Sequence, residues 1–350
     1  MSSSLDSVLL IGGSGFLGLH LIQQFWDHSP RPNIHVFDIR PLPEQLPKIF
    51  TFDPSKVTFH QGDITSADDV RRAIHKSQCQ VIVHSASPVH GQNQQIYIKV
   101  NVEGTKNVIE VAQSEDIVKA LVYTSSAGVI FNGQDVYNAD ESWPIPEIPM
   151  DGYNETKTIA EKMVLKANNP GSLLTVALRP AGIFGPGDRQ LVPGLRQVAQ
   201  AGQSKFQLGD NNNLFDWTYA GNVADSHVLA AVKLLNKETQ DQVAGEVFFI
   251  TNDEPNYFWT LARTVWKADG HVQKKNIVLP RTLAIGLGYI TLGVSKITGK
   301  TAGLTPFRVK VACAVRYHNI TKAKTVLGYA PKVGLADGIK YTLQWMDESK

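Results

Sequence analysis

The chain has 350 residues, 43% hydrophobic and 19% charged, which is enough apolar mass to bury a sizeable core and excludes a disordered or fibrous protein. Its 34 Lys and Arg stand against 32 Asp and Glu, a formal charge of +2, and no basic run is interleaved with aromatics, so nucleic acid is not expected as a partner. Cys79 and Cys313 form no CxxC pair, which leaves neither a disulfide framework nor a zinc knuckle.

Met1–Leu5 carries no basic stretch ahead of a cleavable apolar run, and Val8–Ile11 is too short for a signal core, so residence on the cytosolic side is expected. From Ser7 to Ile11 the chain is apolar and ends in Gly12-Gly13. Phe16, Leu19, Ile22 and Phe25 then recur at roughly helical spacing, which predicts strand, tight turn and helix. Further strands are predicted at Ile34–Asp38, Val57–Gln61, Val81–His84, Ala120–Thr124, Leu174–Arg179 and Glu246–Thr251. Helices are predicted at Asp68–His75, Tyr97–Gln113 and Tyr153–Ala167. Near-continuous apolar strands alternating with helices imply an α/β fold, a doubly wound parallel sheet of the Rossmann type covered on both faces.

The Pro-rich stretch Trp143–Pro149 reads as a loop leading into Tyr153, because an interior proline lacks a donor and clashes with the preceding turn. Beyond about Gly182 the pattern is less regular: a turn cluster at Gly185–Asp188, a helix at Leu191–Ala201, and Gly209–Asn213 as a hairpin turn before Leu214–Tyr219. Residues 1–182 are therefore expected to form a dinucleotide-binding domain. Residues 183–350 are expected to be mainly a smaller, irregular substrate-binding region, with segments around 214–252 returning to the first.

Gly12-Gly13-Ser14-Gly15-Phe16-Leu17-Gly18 satisfies both GxxGxxG and GxGxxG between a strand and a helix, where backbone amides can approach a pyrophosphate. A phosphate loop for a nucleoside triphosphate would need Lys-Ser/Thr after the last glycine, and Leu19-His20 follows instead. Asp38 ends the next strand, where a carboxylate accepts from the adenosine ribose. It repels a 2′-phosphate while Arg40 could pair with one, so NAD is favoured and NADP tolerated.

Thr124-Ser125-Ser126 closes a predicted strand, and Tyr153-Asn154-Glu155-Thr156-Lys157 opens a helix. Tyr and Lys four residues apart share a helix face, so the ammonium can favour the phenolate and hold a cofactor ribose while the tyrosine oxygen exchanges a proton with substrate. A serine at the end of the neighbouring strand can donate to the same substrate oxygen. The motif on its own also fits a surface helix carrying a core tyrosine. His84, His90 and His227 show no defensible ligand spacing, so no metal is expected, and each reads as a core or loop histidine.

Together with Gly62-Asp63-Ile64, His84–Ser87, Asn101–Thr105, Arg179–Asp188 and Leu327–Pro331, these motifs resemble the extended short-chain dehydrogenases/reductases, and within them the 3β-hydroxysteroid dehydrogenase group, over nearly the whole chain. The stretches 124–133 and 209–219 are closest to a fungal branch acting on sterol 4α-carboxylates. The resemblance implies oxidation of a 4α-carboxy-3β-hydroxysterol with loss of carbon dioxide, in ergosterol synthesis. It assigns Tyr153 as acid/base, Lys157 as its activator and ribose anchor, and Ser126 as the substrate-oxygen partner, with Ser125 in reserve.

Gly12, Ser14, Gly15, Phe16, Leu17 and Gly18 would line the pyrophosphate, Asp38 the ribose, and Asp63 with Ile64 the adenine. Ser85, Ala86 and Ser87 would meet the middle of the cofactor, and Pro180 with Ile183 the nicotinamide end. Asp63 also fits a plain turn residue, and Asn101 a helix cap or core hydrogen bond. Where sugar-nucleotide members of the superfamily often carry an arginine, this chain has Leu214-Phe215-Asp216-Trp217, which argues against a nucleotide sugar.

The resemblance further implies a sterol C4-demethylation complex with a methyl oxidase and a 3-ketoreductase, peripheral attachment to the cytosolic face of the endoplasmic reticulum membrane, and leaves a homodimer open. Leu283, Leu287, Ile290, Val294 and Ile297 recur at helical spacing in a run too short and too interrupted to span a bilayer. The run suits a core helix, a pocket wall or an interfacial helix. Two other functions fit the same motifs: a reductase, epimerase or dehydrogenase acting on another alcohol, and a non-catalytic dinucleotide sensor.

Overall fold

The computed structural model describes residues 4–272, 276–299 and 303–348. The first residues of the Met1–Leu5 segment and the last two of the C-terminal region therefore lie outside the described residues. Seven parallel strands form one sheet in the order Val247–Ile250, Leu174–Pro180, Ala120–Thr124, Val81–His84, Ser7–Ile11, Asn33–Asp38, Thr58–Gln61. The chain runs outward in one direction from Ser7–Ile11 and then restarts on its other side at Val81–His84. The carboxyl ends of these two strands therefore diverge into a crevice.

Four of the strands, Ser7–Ile11, Val81–His84, Ala120–Thr124 and Leu174–Pro180, are buried at every residue. Alternate residues serve opposite faces: Leu10, Val83 and Val122 pack with Leu21, Phe25 and Val223 on one side, and Leu9, Ile82 and Leu121 with Ile74, Val108 and Val164 on the other. Both faces need apolar partners, which explains runs without polar alternation.

The helix Ala220–Leu235 packs on the helix Phe16–Asp27, and Val247–Ile250 forms one edge of the large sheet. Traffic also runs the other way. Val136–Ala139, from the first half, joins Asn256–Tyr257, Leu214–Phe215 and Arg316–His318 in a four-stranded sheet. Strands of two to four residues carry too little periodicity to be read from sequence.

The hairpin expected at Gly209–Asn213 does not form. Phe206–Leu208 pairs in parallel with Ile277–Leu279, whereas Leu214–Phe215 pairs with Asn256–Tyr257 and with Arg316, so the turn joins two different sheets. The turn itself is real, with Gly209 and Asn211 at φ 71° and 62° and the Asp210 carboxylate accepting from the Asn212 amide at 3.1 Å.

The helix Arg281–Thr298 is neither a core helix nor a wall of the cavity described below, because only Ala284 and Gly288 are buried. Gly288 lets it press on the start of the helix Pro306–Cys313, since a Cβ there would meet the Pro306 nitrogen at 2.8 Å. Leu283, Tyr289, Ile290 and Val294 stay exposed, and Ile297 is 87% exposed. Among the described residues no helix is long and apolar enough to cross a membrane.

Candidate active site

The glycine loop lies at the crevice. Gly12 has φ 84°, and a Cβ there would sit 2.7 Å from the Ala86 backbone; a Cβ on Gly18 would meet the Gly12 and Gly13 carbonyls at 2.4 Å. The Gly15 amide donates to the Gly12 carbonyl at 3.1 Å and closes the turn. No side chain caps the helix Phe16–Asp27, and the buried Ser14 hydroxyl lacks a protein partner. Free amides at a helix start beside an orphan hydroxyl fit a dinucleotide pyrophosphate. Phe16 and Leu17 continue from this loop into the helix, both half-buried.

Asp38 stands at the end of its strand with one carboxylate oxygen accepting from the Ser14 amide at 3.2 Å and the other from the Arg40 amide at 3.1 Å. These bonds tie the ribose-binding candidate to the glycine loop, while the Arg40 side chain lies exposed. Asp63 does perform the turn role, accepting from the Thr65 amide at 2.9 Å, and is exposed. Ile64 is buried against Gly104, which leaves its backbone rather than its side chain for a ligand. The Ser85 hydroxyl donates to the Ile11 carbonyl at 3.0 Å, and Ala86 forms the floor under Gly12. Pro180 lines the cavity described below, and Ile183 pairs with Thr218 beside it.

Tyr153 and Lys157 sit in the first two turns of the helix Gly152–Lys166, which Asp151 caps by accepting from the Asn154 amide at 2.8 Å. Burial, reinforced by the Asp151 carboxylate, pushes the Tyr153 phenol up to about 12, and hydrogen bonds from Ser87 and Ser126 pull it back. The His90 ring lies 3.9 Å from the Tyr153 ring, centroid to centroid, with Tyr97 edge-on at 5.8 Å. Lys157 is buried, and its ammonium donates to the Thr124 carbonyl at 2.7 Å and to the Tyr123 hydroxyl at 3.3 Å. Burial drives it down to about 7 against the opposing pull of Glu161. The ammonium is thus anchored on the strand end beside Tyr153, and its direct partners are Thr124 and Tyr123.

The two serines part company. Ser126 faces Tyr153 and the cavity, its hydroxyl also accepting from the Gly128 amide at 3.0 Å. Ser125, the reserve candidate, is turned into the core, where it donates to Glu161 at 2.6 Å; Glu161 in turn grips Arg179 through two bonds of 2.9 and 2.6 Å. A hydroxyl committed to a buried carboxylate is not available to substrate. Asn101, in the π-helical turn Ile98–Gly104, accepts from Ser87 at 3.0 Å and donates to Thr156 at 3.1 Å. It therefore steadies a hydroxyl that itself touches Tyr153.

Beside Ser126 opens a cavity of about 330 Å³ lined by apolar groups such as Ile130, Phe131, Phe215 and Val311, together with Asn154, His90, Arg316 and His318. His84 and His227 are core histidines as expected, bonded to Thr105 at 2.9 Å and Thr124 at 2.7 Å. His90 is a loop histidine, whose ring packs against that of Tyr153 at the cavity edge, tilted by 40°. The cavity is not without a cation. The absence of arginine at 214–217 is made good in space by Arg316, whose strand places it in register with Phe215. Sequence reading missed both residues because neither lies in a motif. Among the described residues no His, Cys, Asp and Glu cluster could hold a metal.

The 3-beta hydroxysteroid dehydrogenase/isomerase family model matches residues 9–281. The decarboxylating sterol-4-alpha-carboxylate 3-dehydrogenase of Saccharomyces cerevisiae is 69% identical over 347 residues, covering 99% of each chain. The enzyme of that name from Homo sapiens is 38% identical over 96% of this chain and 87% of its own. Among solved structures, dTDP-glucose 4,6-dehydratase of Bacillus anthracis in complex with NAD superposes with a TM-score of 0.70 at 20% identity, over 98% of this chain and 97% of that one. UDP-glucose 4-epimerase of Thermus thermophilus in complex with NAD gives 0.69 at 21%, over 98% and 99%. These two likenesses establish the Rossmann-type fold.

Proposed function

Because the chain belongs to the 3-beta hydroxysteroid dehydrogenase/isomerase family, and its full-length relatives are decarboxylating dehydrogenases, we propose that its cavity takes a 4α-carboxy-3β-hydroxysterol. The protein is a sterol-4α-carboxylate 3-dehydrogenase of sterol C4 demethylation. The observation that carries the reading is the hydrogen bond from Ser126, on the wall of a largely apolar cavity, to the Tyr153 phenol.

The cofactor is a nicotinamide dinucleotide; when bound, its ring accepts the hydride that leaves C3 of the sterol. Tyr153 takes the proton of the 3-hydroxyl at its phenol oxygen, and Ser126 donates to the same substrate oxygen. Lys157, fixed on the Thr124 carbonyl one helical turn from Tyr153, is the group that would hold a ribose and carry positive charge toward the developing phenolate. The oxidised sterol carries a carbonyl β to its carboxylate. As the C–C bond breaks, its electron pair moves onto the ketone oxygen, and the now-protonated Tyr153 with Ser126 can donate to that enolate while carbon dioxide leaves.

NAD is the favoured cofactor on this reading, supported by the Asp38 carboxylate at the ribose end of the loop, where a 2′-phosphate would be repelled. Peripheral attachment to the cytosolic face of the endoplasmic reticulum belongs to the same proposal, as does association with the methyl oxidase and 3-ketoreductase of C4 demethylation. The unburied apolar residues of Arg281–Thr298 support membrane contact, because an amphipathic helix left open suits an interface. A substrate labelled with deuterium at C3 tests the chemistry: the label is expected in the reduced nicotinamide, with a 3-ketosterol as product. Unlabelled reduced cofactor, or none, would refute it.

A further inference from the structure

Ser87 stands just past the strand Val81–His84, and its hydroxyl has two neighbours, the Asn101 side-chain oxygen at 3.0 Å and the Tyr153 phenol. A hydroxyl has one hydrogen to give and two lone pairs to receive. Which neighbour gets the hydrogen is decided further along the network. The Thr156 hydroxyl donates to carbonyls of its own helix, Gly152 at 2.9 Å and Tyr153 at 3.0 Å, so toward Asn101 it can only accept, at 3.1 Å. The Asn101 amide nitrogen therefore faces Thr156 and its oxygen faces Ser87. Asn101 and Thr156 are both buried, which locks this orientation.

The Asn101 oxygen can only accept. While Tyr153 is a phenol, Ser87 gives its hydrogen to Asn101 and turns a lone pair to the phenol O–H. Once the phenol has lost its proton, an anionic oxygen competes for the same hydrogen, and a hydrogen bond to an ionised group is the stronger of the two. Rotation of the serine hydroxyl moves the hydrogen from Asn101 to the phenolate, with no covalent bond broken or formed.

Resting on the function proposed above, we infer that Ser87 is a further catalytic residue, whose hydroxyl turns from Asn101 to the Tyr153 phenolate and keeps donating while Tyr153 takes the proton of the sterol 3-hydroxyl. Ser87, Tyr153 and the sterol oxygen then form one chain in which each member donates to the next. Such a chain strengthens the bond that the enolate receives as carbon dioxide leaves. Ser126, whose hydroxyl accepts from the Gly128 amide, serves the substrate oxygen; Ser87 touches the phenol oxygen itself, the atom that takes the proton.

Around the same phenol stand Asp151 and Lys157 from its own segment, and Tyr97, Tyr123 and His90 from the elements packed against it. Substitution of Ser87 leaves all of them in place. The test is the pH profile of carboxysterol oxidation by cofactor-loaded wild type, Ser87→Ala and Ser87→Thr, with cofactor affinity measured beside it. Ser87→Ala removes a hydrogen bond that favours the anion, so the rising limb of kcat is expected to move about one to two pH units upward, which reads as roughly 10- to 100-fold slower turnover at a pH on that limb. Ser87→Thr, which keeps the hydroxyl, should bring the limb back.

The family resemblance places Ser87 at the middle of the cofactor, and that role predicts weaker cofactor binding with the limb unmoved. An unmoved limb in Ser87→Ala overturns the assignment, as does a limb equally displaced in Ser87→Thr. If Ser87→Ala does not fold, Ser87→Cys carries the comparison: its thiol is a weaker donor, and its limb must still move upward. Wild type that leaves the carboxysterol unoxidised would sink the proposed function; the displacement is then read without substrate, from the tyrosinate absorbance that Tyr153→Phe lacks, and no displacement there overturns the role of Ser87.

Discussion

In the large sheet whole strands such as Val81–His84 are removed from solvent, whereas the helix Arg281–Thr298 buries two residues and leaves Ile290 63% and Ile297 87% exposed. The first region satisfies its apolar residues internally and holds the reacting groups rigidly between two packed faces. The second lies outside the cavity wall and presents unspent apolar surface outward. Chemistry that recurs across substrates needs the rigid half; the membrane contact proposed above would use the other.

Four substitutions can break this division. Tyr153→Phe is expected to lower turnover roughly 10²- to 10⁴-fold with cofactor affinity nearly unchanged, measured by steady-state kinetics and cofactor titration. In wild type, oxidation should quicken as pH rises, because the phenol is pushed up to about 12 and each alkaline step deprotonates more of it. Tyr153→Phe should lose that limb. Comparable activity in the variant would remove Tyr153 from the mechanism and revive a binding-only module.

Glu161→Gln should cost about 3–5 kcal/mol in denaturant unfolding, because it strands Arg179 as a buried charge and loosens Ser125. A loss under about 1 kcal/mol would mean that the rigid half does not depend on this pair. Asp38→Ala should shift relative use toward NADP on the order of tenfold, and an unchanged ratio would show that Asp38 does not set the preference.

The smallest expected change in stability comes from Ile297→Asp. Its unfolding free energy should stay within about 0.5 kcal/mol of wild type, while co-sedimentation with phospholipid vesicles weakens. Destabilisation would mean the helix is packed after all, and unaltered vesicle binding would move membrane contact elsewhere.

The same division explains what could be read without coordinates. The glycine loop, the strand-end serines and the Tyr153–Lys157 helix are local: spacing and continuous apolar runs determine them within a few residues. Spacing could not tell Ser125 from Ser126, because the choice depends on Glu161, which reaches the pair from a different element. Arg316 was illegible for a related reason: only strand pairing across the chain sets it beside Phe215 and Phe131. His90 sits in a loop with no period at all, and its approach to Tyr153 is a tertiary event. The expected hairpin at Gly209–Asn213 failed because turn residues specify a bend, while the partners of the flanking strands are chosen by the rest of the fold.

The most direct measurement is an anaerobic incubation of the purified protein with a 4α-carboxy-3β-hydroxysterol and NAD, following nicotinamide reduction and carbon dioxide release together. The account predicts one carbon dioxide for each nicotinamide reduced. Reduction without carbon dioxide would contradict the coupled step, and neither signal despite firm cofactor binding would contradict the substrate.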